Sequence, residues 1–459
     1  MRKRLLFLIM TMSIIAVNAQ INPAVKAWLQ NTTIKGKHYV KNNSTAIPDT
    51  STANVQLVRY SADWVYINTN GVPSYTTGPF LDNNPSLASS QNAIFKVSLK
   101  PQKNTGAPTS TTGGNIGLFI NGVALFDYRD GVSWNNAQSK LCGGPIMCTP
   151  PGGDGKWNRD AVVGERLGFD CSKGHPAMGN YHHHQNPSAF DMDLNVMSTV
   201  CSLYDADGLY KIDSTKHSPL IGFAYDGFPI YGAYAYKDTN GSGAIARMKS
   251  SYVLRNITVR THWADGTDVL DGPPVDATYP LGYFREDYEY VPTTKTDYLD
   301  ASNGRFCKTP EYPNGIYCYF ATVDEKWNSA YPYVVGPNFY GVKTTTKPTS
   351  ITETVTIYAD SVATKDTTKS SVLVNKGTSF ANVFASRDGE FVVIQINDLV
   401  KQTIYVEMYS MDGKLVQKTA VLQGSTIAYM DTRTLYQGLY IVKITNGTEH
   451  EERKVFVEK

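Results

Sequence analysis

Four of the eight histidines of the chain fall within Gly174-His175-Pro176-Ala177-Met178-Gly179-Asn180-Tyr181-His182-His183-His184-Gln185-Asn186-Pro187. In an extended Tyr181 to Gln185 the side chains alternate, so His182 and His184 share one face while Tyr181 and His183 take the other. Two imidazoles offered to one object suit zinc or copper. His175 precedes them across Pro176 and Gly179, a spacing that a turn can fold back beside the pair. The expected centre is therefore His182 and His184, with His175 or His217 as third ligand and Asp226 as an outer carboxylate. The competing reading is a hydrogen-bonded network of tyrosines and histidines that holds a loop-rich domain together without any ligand. For one histidine that reading is the better; a same-face pair with a third nearby brings the two level, because clustered imidazoles are costly to bury unsatisfied.

Acid–base catalysis is a second possibility, with His217 as base and Asp226 or Glu311 orienting or donating, for example in hydrolysis at a cell surface. It ranks below metal binding, since there is no nucleophile elbow, no H-E-x-x-H and no evident carboxylate pair. Glu311 lies in the turn-rich Thr309-Pro310-Glu311-Tyr312-Pro313-Asn314-Gly315, and Asp226 in an Asp-Gly turn, where carboxylates are commonly solvated or turn-forming. Asp191-x-Asp193-x-Asn195 opens like a calcium loop, but Val196 at the glycine position and Ser202 at the bidentate position exclude an EF-hand. Asp205-Ala206-Asp207-Gly208 reads as a turn. A third class is an aromatic-rich surface that holds glycan or protein through exposed Tyr and Trp. Many of the 30 tyrosines must fill a core, which weakens that reading.

The N-terminus sets the compartment. Arg2, Lys3 and Arg4 precede an apolar run from Leu5 to Val17 that ends in small residues at Val17-Asn18-Ala19, the pattern of a secretory signal peptide over residues 1–19. The run is short for a membrane span and no later stretch is apolar for long enough, so no transmembrane segment is expected. The chain carries 43 Lys and Arg against 41 Asp and Glu. Without the three leader cations the balance is 40 against 41, a formal charge of −1, which argues against nucleic acid as a partner. The six cysteines, Cys142, Cys148, Cys171, Cys201, Cys307 and Cys318, read as disulfides in an exported chain. Pairing neighbours gives Cys142 with Cys148, Cys171 with Cys201 across the histidine stretch, and Cys307 with Cys318, leaving no thiol free. Metal binding by the thiols is the weaker alternative, as no paired C-x-x-C occurs.

The elements that would hold these residues are mainly β. Low charge with abundant Tyr, Thr, Gly, Pro and Asn favours strands and long ordered loops, and the length suits two or three domains. Val55 to Ile67 predicts one long strand or two, closed by Asn70-Gly71-Val72-Pro73, and Ala93 to Leu99 a further strand. Ile116 to Ile120 and Val123 to Phe126 flank Asn121-Gly122, a hairpin signature. Lys156 to Phe169 is the one helix expected in this half, capped by Asn158 or Asp160, with Glu165 near its middle. Ser218 to Gly232 predicts two short buried strands about Asp226-Gly227, and Ile316 to Phe320 an aromatic strand. Residues 342–379, rich in Thr, Ser and Lys, predict a linker with one strand near Thr354 to Tyr358. Beyond it, strands at Glu390 to Ile396, Thr403 to Tyr409, Leu415 to Thr419, Gly438 to Ile444 and Lys454 to Glu458, with a turn at Met411 to Lys414, predict a small β-sandwich over 380–459. The fold class expected is thus mainly β: a large, loop-rich, sandwich-like β domain over 20–341, then this sandwich.

Two resemblances extend this reading. With Asp412-Gly413-Lys414, Gly438-Leu439-Tyr440-Ile441-Val442-Lys443-Ile444 and Lys454-Val455-Phe456-Val457, residues 380–459 resemble the type A C-terminal sorting domain of the type IX (Por) secretion system. Asn382-Val383-Phe384-Ala385-Ser386 stands where that domain usually opens with Pro-Asn-Pro. The resemblance implies the type IX machinery as a partner, and a protein secreted or attached to the outer-membrane surface. Residues 55–341 resemble the YHYH domain family. The residues that carry it are Gly174-His175-Pro176, Gly179 to His184, His217 to Gly232 with Tyr225-Asp226-Gly227-Phe228-Pro229, Asn303-Gly304-Arg305 and Thr309 to Gly315. His183 replaces the second Tyr of the Tyr-His-Tyr-His motif, which leaves His182 and His184 intact. Tyr317-Cys318-Tyr319 stands where many relatives read Tyr-His-Tyr, so a ligand or base from that block is missing here. This resemblance names a domain and implies no particular reaction.

Overall fold

The computed structural model describes residues 21–43, 45–82, 86–144, 146–188, 208–358, 381–385, 391–396, 402–411, 413–423, 425, 427–446 and 449–457. The expected leader, the calcium-like Asp191 to Ser202 and the turn residues Asp205 to Asp207 lie outside them. The chain forms two compact units, Met1–Thr367 and Thr368–Lys459, and strands dominate both.

An eight-stranded mixed sheet organises the first unit. Its strands are β1 (Asn115–Phe119), β2 (Ala124–Phe126), β3 (Gly174–Ala177), β4 (Asn180–His183), β5 (Leu220–Ala224), β6 (Pro229–Tyr231), β7 (Gly304–Cys307) and β8 (Ile316–Phe320), in the spatial order β3-β4-β2-β1-β5-β6-β8-β7. The hairpin β1–β2 turns at Gly122 (φ 76°), as the Asn-Gly pair predicts. β5–β6 turns at Gly227 (φ 87°), next to Asp226. A four-stranded sheet, in the order Thr356–Tyr358, Val55–Tyr60, Trp64–Thr69 and Ala93–Ser98, contributes to the same core. Val58, Val65, Ile67 and Phe95 pack in one apolar cluster with Leu118, Phe119, Phe223 and Ile230.

The strand expected near Thr354 to Tyr358 forms at Thr356–Tyr358 and pairs with Val58 to Tyr60, and Thr346 bridges Lys96, so residues 342–358 lie against the first unit's strands. Two expectations need correction. The helix over 156–169 shrinks to one turn, Ala161–Gly164, followed by a 3-10 turn, Arg166–Gly168, while Asn158–Asp160 is a strand. Asp160 does cap it, its side chain accepting from Val162 N, but Gly164 and Gly168 supply little helical preference and the turn cannot propagate. Cys307 and Cys318 are buried thiols, not a bridge. The β7–β8 register sets Cys307 opposite Ile316 and Cys318 opposite Arg305, so the two cysteines are diagonal neighbours, their thiols in hydrogen-bond contact but not joined. Cys142 and Cys148 do form a disulfide, with Cα atoms 5.6 Å apart. Cys171 is disulfide-bonded, and its expected partner Cys201 lies outside the described residues.

The second unit is the expected sandwich. One sheet runs Ala381–Ala385, Phe391–Ile396, Ile427–Asp431; the other runs Leu415–Val421, Ile404–Ser410, Gly438–Asn446, Glu449–Val457. Val392, Ile394 and Met430 of the first meet Val406, Met408, Val442, Ile444 and Val455 of the second in one core, the alternation that a two-layer β fold requires. The strands Ala381–Ala385 and Ile427–Asp431 are not among those the sequence predicts.

Candidate metal centre

The β3–β4 hairpin places the histidines. Met178 (φ 50°) and Gly179 (φ 87°) both take positive φ, the two-residue turn that matches strand twist. The register then sets His175 directly opposite His182, and His184, two residues on, shares their face. A side chain at Gly174 would collide with the Tyr181 hydroxyl and the His183 ring. β4 pairs in parallel with β2, His182 opposite Ala124, which lays the Phe126 ring on His182 at 3.7 Å between centroids. On the other face Tyr181 donates to Asp170 Oδ2 (2.8 Å) and His183 Nε2 is hydrogen-bonded to Tyr75 (2.7 Å).

The three same-face nitrogens converge. His182 Nε2 lies 3.1 Å and His175 Nε2 3.4 Å from His184 Nε2, and all three rings are buried. Among the described residues, His175, His182 and His184 form the one histidine, cysteine or carboxylate group close enough to hold an ion jointly. His182 Nδ1 faces the Asn180 carbonyl (2.9 Å) and His184 Nδ1 the Asp127 carbonyl (2.7 Å). A carbonyl can only accept, so both Nδ1 atoms carry a proton; the Nε2 atoms are then the ones that face the shared space, His182 with a lone pair and His184 with one once its proton toward Glu165 is lost. Donors about 2.05 Å from a tetrahedral ion stand about 3.3 Å apart, the spacing found here.

A fourth donor arrives from a residue that sequence reasoning did not single out. Glu165 Oε2 lies 3.2 Å from His175 Nε2 and 3.1 Å from His184 Nε2. Glu165 follows the capped turn Ala161–Gly164, ten residues before His175, and no motif joins the two. The link is Asp170: its Oδ1 accepts from Ser172 N (2.9 Å) and Gly174 N (3.1 Å), its Oδ2 from Gly78 N (3.0 Å) and Tyr181. These bonds fold 170–174 into a turn that returns the chain from Glu165 into β3.

Protonation follows from these contacts. Burial, then the neighbouring His175 and His184, holds His182 well below the ordinary histidine range. Burial also works against charging His184, but the Glu165 carboxylate outweighs it and raises His184. Burial would raise Glu165, and the bonds from His175 and His184 outweigh it in turn, holding the carboxyl well below its usual range. Without an ion the pocket thus carries a His184–Glu165 ion pair, whose bridging proton a metal would displace.

The remaining candidates lie elsewhere. Asp226 is buried at the β5–β6 turn, where Oδ2 accepts from Tyr319 OH (2.6 Å) and Gly341 N (2.8 Å); these partners occupy it and none is a histidine. His217 precedes β5, its ring 5.2 Å from that of Tyr231 and 5.1 Å from that of Tyr236, and is not among the converging nitrogens. Glu311 is not simply solvated, since Tyr231 donates to its Oε2 (2.8 Å) while also bonding Thr309 (2.7 Å).

Residues 94–332 match the YHYH protein family, and residues 389–458 match the secretion system C-terminal sorting domain. The chain belongs to the YHYH family. Comparison with curated proteins gives no match. The YHYH region contains every residue of the histidine centre, Glu165 and Asp170 included, while the sorting domain coincides with the C-terminal sandwich. That second match implies export, with a cell-surface or secreted destination, through the secretion machinery. No helix among the described residues is long and apolar enough to cross a membrane.

Proposed function

We propose that this YHYH protein is an exported transition-metal-binding protein that holds zinc or copper through His175, His182 and His184. The observation that carries the reading is the convergence of three buried Nε2 atoms, with the Nδ1 atoms of His182 and His184 tied to backbone carbonyls so that Nε2 is the atom each turns to the shared space. A metal ion would take the place of the proton that His184 shares with its neighbours and satisfy the nitrogens together. Imidazole donors select zinc and copper over harder ions, and oxidised cysteines outside the cell leave little thiolate to compete. The test is metal analysis of the full chain purified without a histidine tag. About one zinc or copper per chain is expected, falling to near zero in His182→Ala plus His184→Ala; sub-stoichiometric metal that the double substitution leaves unchanged would sink the reading.

The C-terminal unit supplies the address. Truncation near residue 375 is expected to leave the protein in the periplasm, and normal surface display or secretion of the truncated chain would count against that role.

A second reading, acid–base chemistry at a cell surface, is favoured by one observation. His217 Nδ1 donates to the Ser218 carbonyl (2.7 Å), its Nε2 has no hydrogen-bond partner among the described residues, and burial holds it below the ordinary histidine range despite the nearby Glu311, which keeps it neutral and able to act as a base. Hydrolysis of a chromogenic ester or glycoside by the full chain, abolished by His217→Ala but retained in the double histidine variant above, would support it.

A further inference from the structure

We propose, resting on the metal-binding reading, that Glu165 is the fourth and exchangeable ligand of the histidine centre, closing it at rest and yielding its place to a small anion from solvent. Its Oε2 stands at ligand spacing from two of the three nitrogens, 3.2 Å from His175 and 3.1 Å from His184, so an ion held by His175 and His184 lies within its reach. The donors differ in what holds them. His175 and His182 are locked in register on a hairpin, and the Nδ1 atoms of His182 and His184 are tied to backbone carbonyls. Glu165 sits at the junction of a one-turn helix and a 3-10 turn, with no strand neighbour to fix it.

The donors also differ in exposure. The Glu165 side chain is 24% exposed, against 9% for His175 and 3% for His184. Aromatic rings close the other approaches: Phe126 lies flat on His182, and Phe169 stands edge-on to His175 at 5.0 Å. Gly168 keeps the wall near His175 thin, since a Cβ there would lie 3.2 Å from His175 Nδ1 and 2.6 Å from an Asp82 oxygen. Among the side chains of Glu165, His175 and His184, that of Glu165 is thus the most open to solvent, although its Oε2, turned to the histidines, is buried. In the exchange the bond from the metal to Glu165 Oε2 breaks and a bond to the incoming anion forms. One negative ligand replaces another, so the charge of the centre is unchanged and no electron moves. Glu165 turns outward into water, where a carboxylate is well solvated. A centre able to open in this way has the free position that catalytic metal sites keep and structural sites lack.

The experiment loads the full chain with Cu(II) and titrates azide, following the charge-transfer absorption and the electron paramagnetic resonance spectrum. Wild type and Glu165→Gln should each hold about one copper per chain. Azide should bind Glu165→Gln at least tenfold more tightly, because the internal competitor is gone, and Glu165→Asp, one methylene short, should fall between them. Equal azide affinity in wild type and Glu165→Gln would overturn the proposal, as would loss of copper from Glu165→Gln, which would make the carboxylate a permanent ligand. Glu165→Asp, which keeps the charge, decides the matter by the same ranking should Glu165→Gln fail to fold. Absence of copper from wild type would instead remove the metal-binding reading itself.

Discussion

His175 stands directly opposite His182 across the β3–β4 hairpin, with ring centroids 4.5 Å apart. A two-residue turn thereby delivers a third imidazole to the face that His182 and His184 share. Register brings the three imidazoles together, and a slip of one residue would send His182 and His184 to the opposite face.

Removal of His175 should therefore weaken the centre without dismantling the hairpin. In His175→Ala, zinc or copper affinity is expected to fall about 100-fold, roughly 2.7 kcal/mol, with the strands still paired through backbone bonds. Competition with a chelating dye measures the affinity. Unchanged affinity would exclude His175 as a ligand.

Asp170 positions the centre from behind. Its carboxylate accepts four hydrogen bonds, and an amide can accept on one oxygen only. Asp170→Asn must turn an NH2 group toward buried donors, on either the Tyr181 side or the Gly174 side. The expected cost is about 1–3 kcal/mol of stability, with weaker metal retention because the return from Glu165 to β3 loosens. Urea unfolding with and without added zinc separates the two effects; a variant matching wild type in both would show that the turn holds itself.

The histidine face was legible from the sequence because strand alternation is a local rule, and Gly179 marked the turn that brings His175 back. The Cys142–Cys148 bridge was equally local. Glu165 was not legible: its place depends on Asp170, which bonds Gly78, 92 residues away in the chain, and no spacing encodes such a contact. Cys307 and Cys318 misled for a related reason. Their nearness in sequence suggested a bridge, but strand register set each opposite another residue. Most C-terminal strands were legible, helped by the alternation of exposed and buried positions in strands such as Ile404–Ser410; Ala381–Ala385 and Ile427–Asp431 were not, although the latter too alternates.

The thiols give a direct chemical test. Cys307 and Cys318 are expected to resist alkylation in the folded chain, where both are buried, and to be alkylated in denaturant without any reductant. Cys142 and Cys148 should react only after reduction. Peptide mass spectrometry assigns each label; a Cys307–Cys318 disulfide peptide from freshly exported protein would restore the bridge that neighbour pairing suggests.

Buried carboxyls set the dependence of stability on pH, and Asp226 isolates one of them. Burial is the dominant influence and pushes its pKa up to about 6, although the bonds from Tyr319, Gly341 and Phe228 favour the charged form. In the unfolded chain the group titrates near its ordinary value, about 3.9. Between these values the folded state binds the proton more tightly. Its stabilising contribution is therefore complete below about pH 4 and is lost as pH rises through about 6. Asp160 and Asp170, both pushed up to about 7 by burial, act with the same sign, so wild-type stability alone cannot single out Asp226. The difference between wild type and Asp226→Asn can, because the amide has no proton to lose. Over pH 4–7 wild type should lose on the order of 2–3 kcal/mol more than the variant, read from urea midpoints at each pH. A difference that stays constant across that window would mean that Asp226 titrates at its unfolded value, its three hydrogen-bond donors having cancelled the effect of burial.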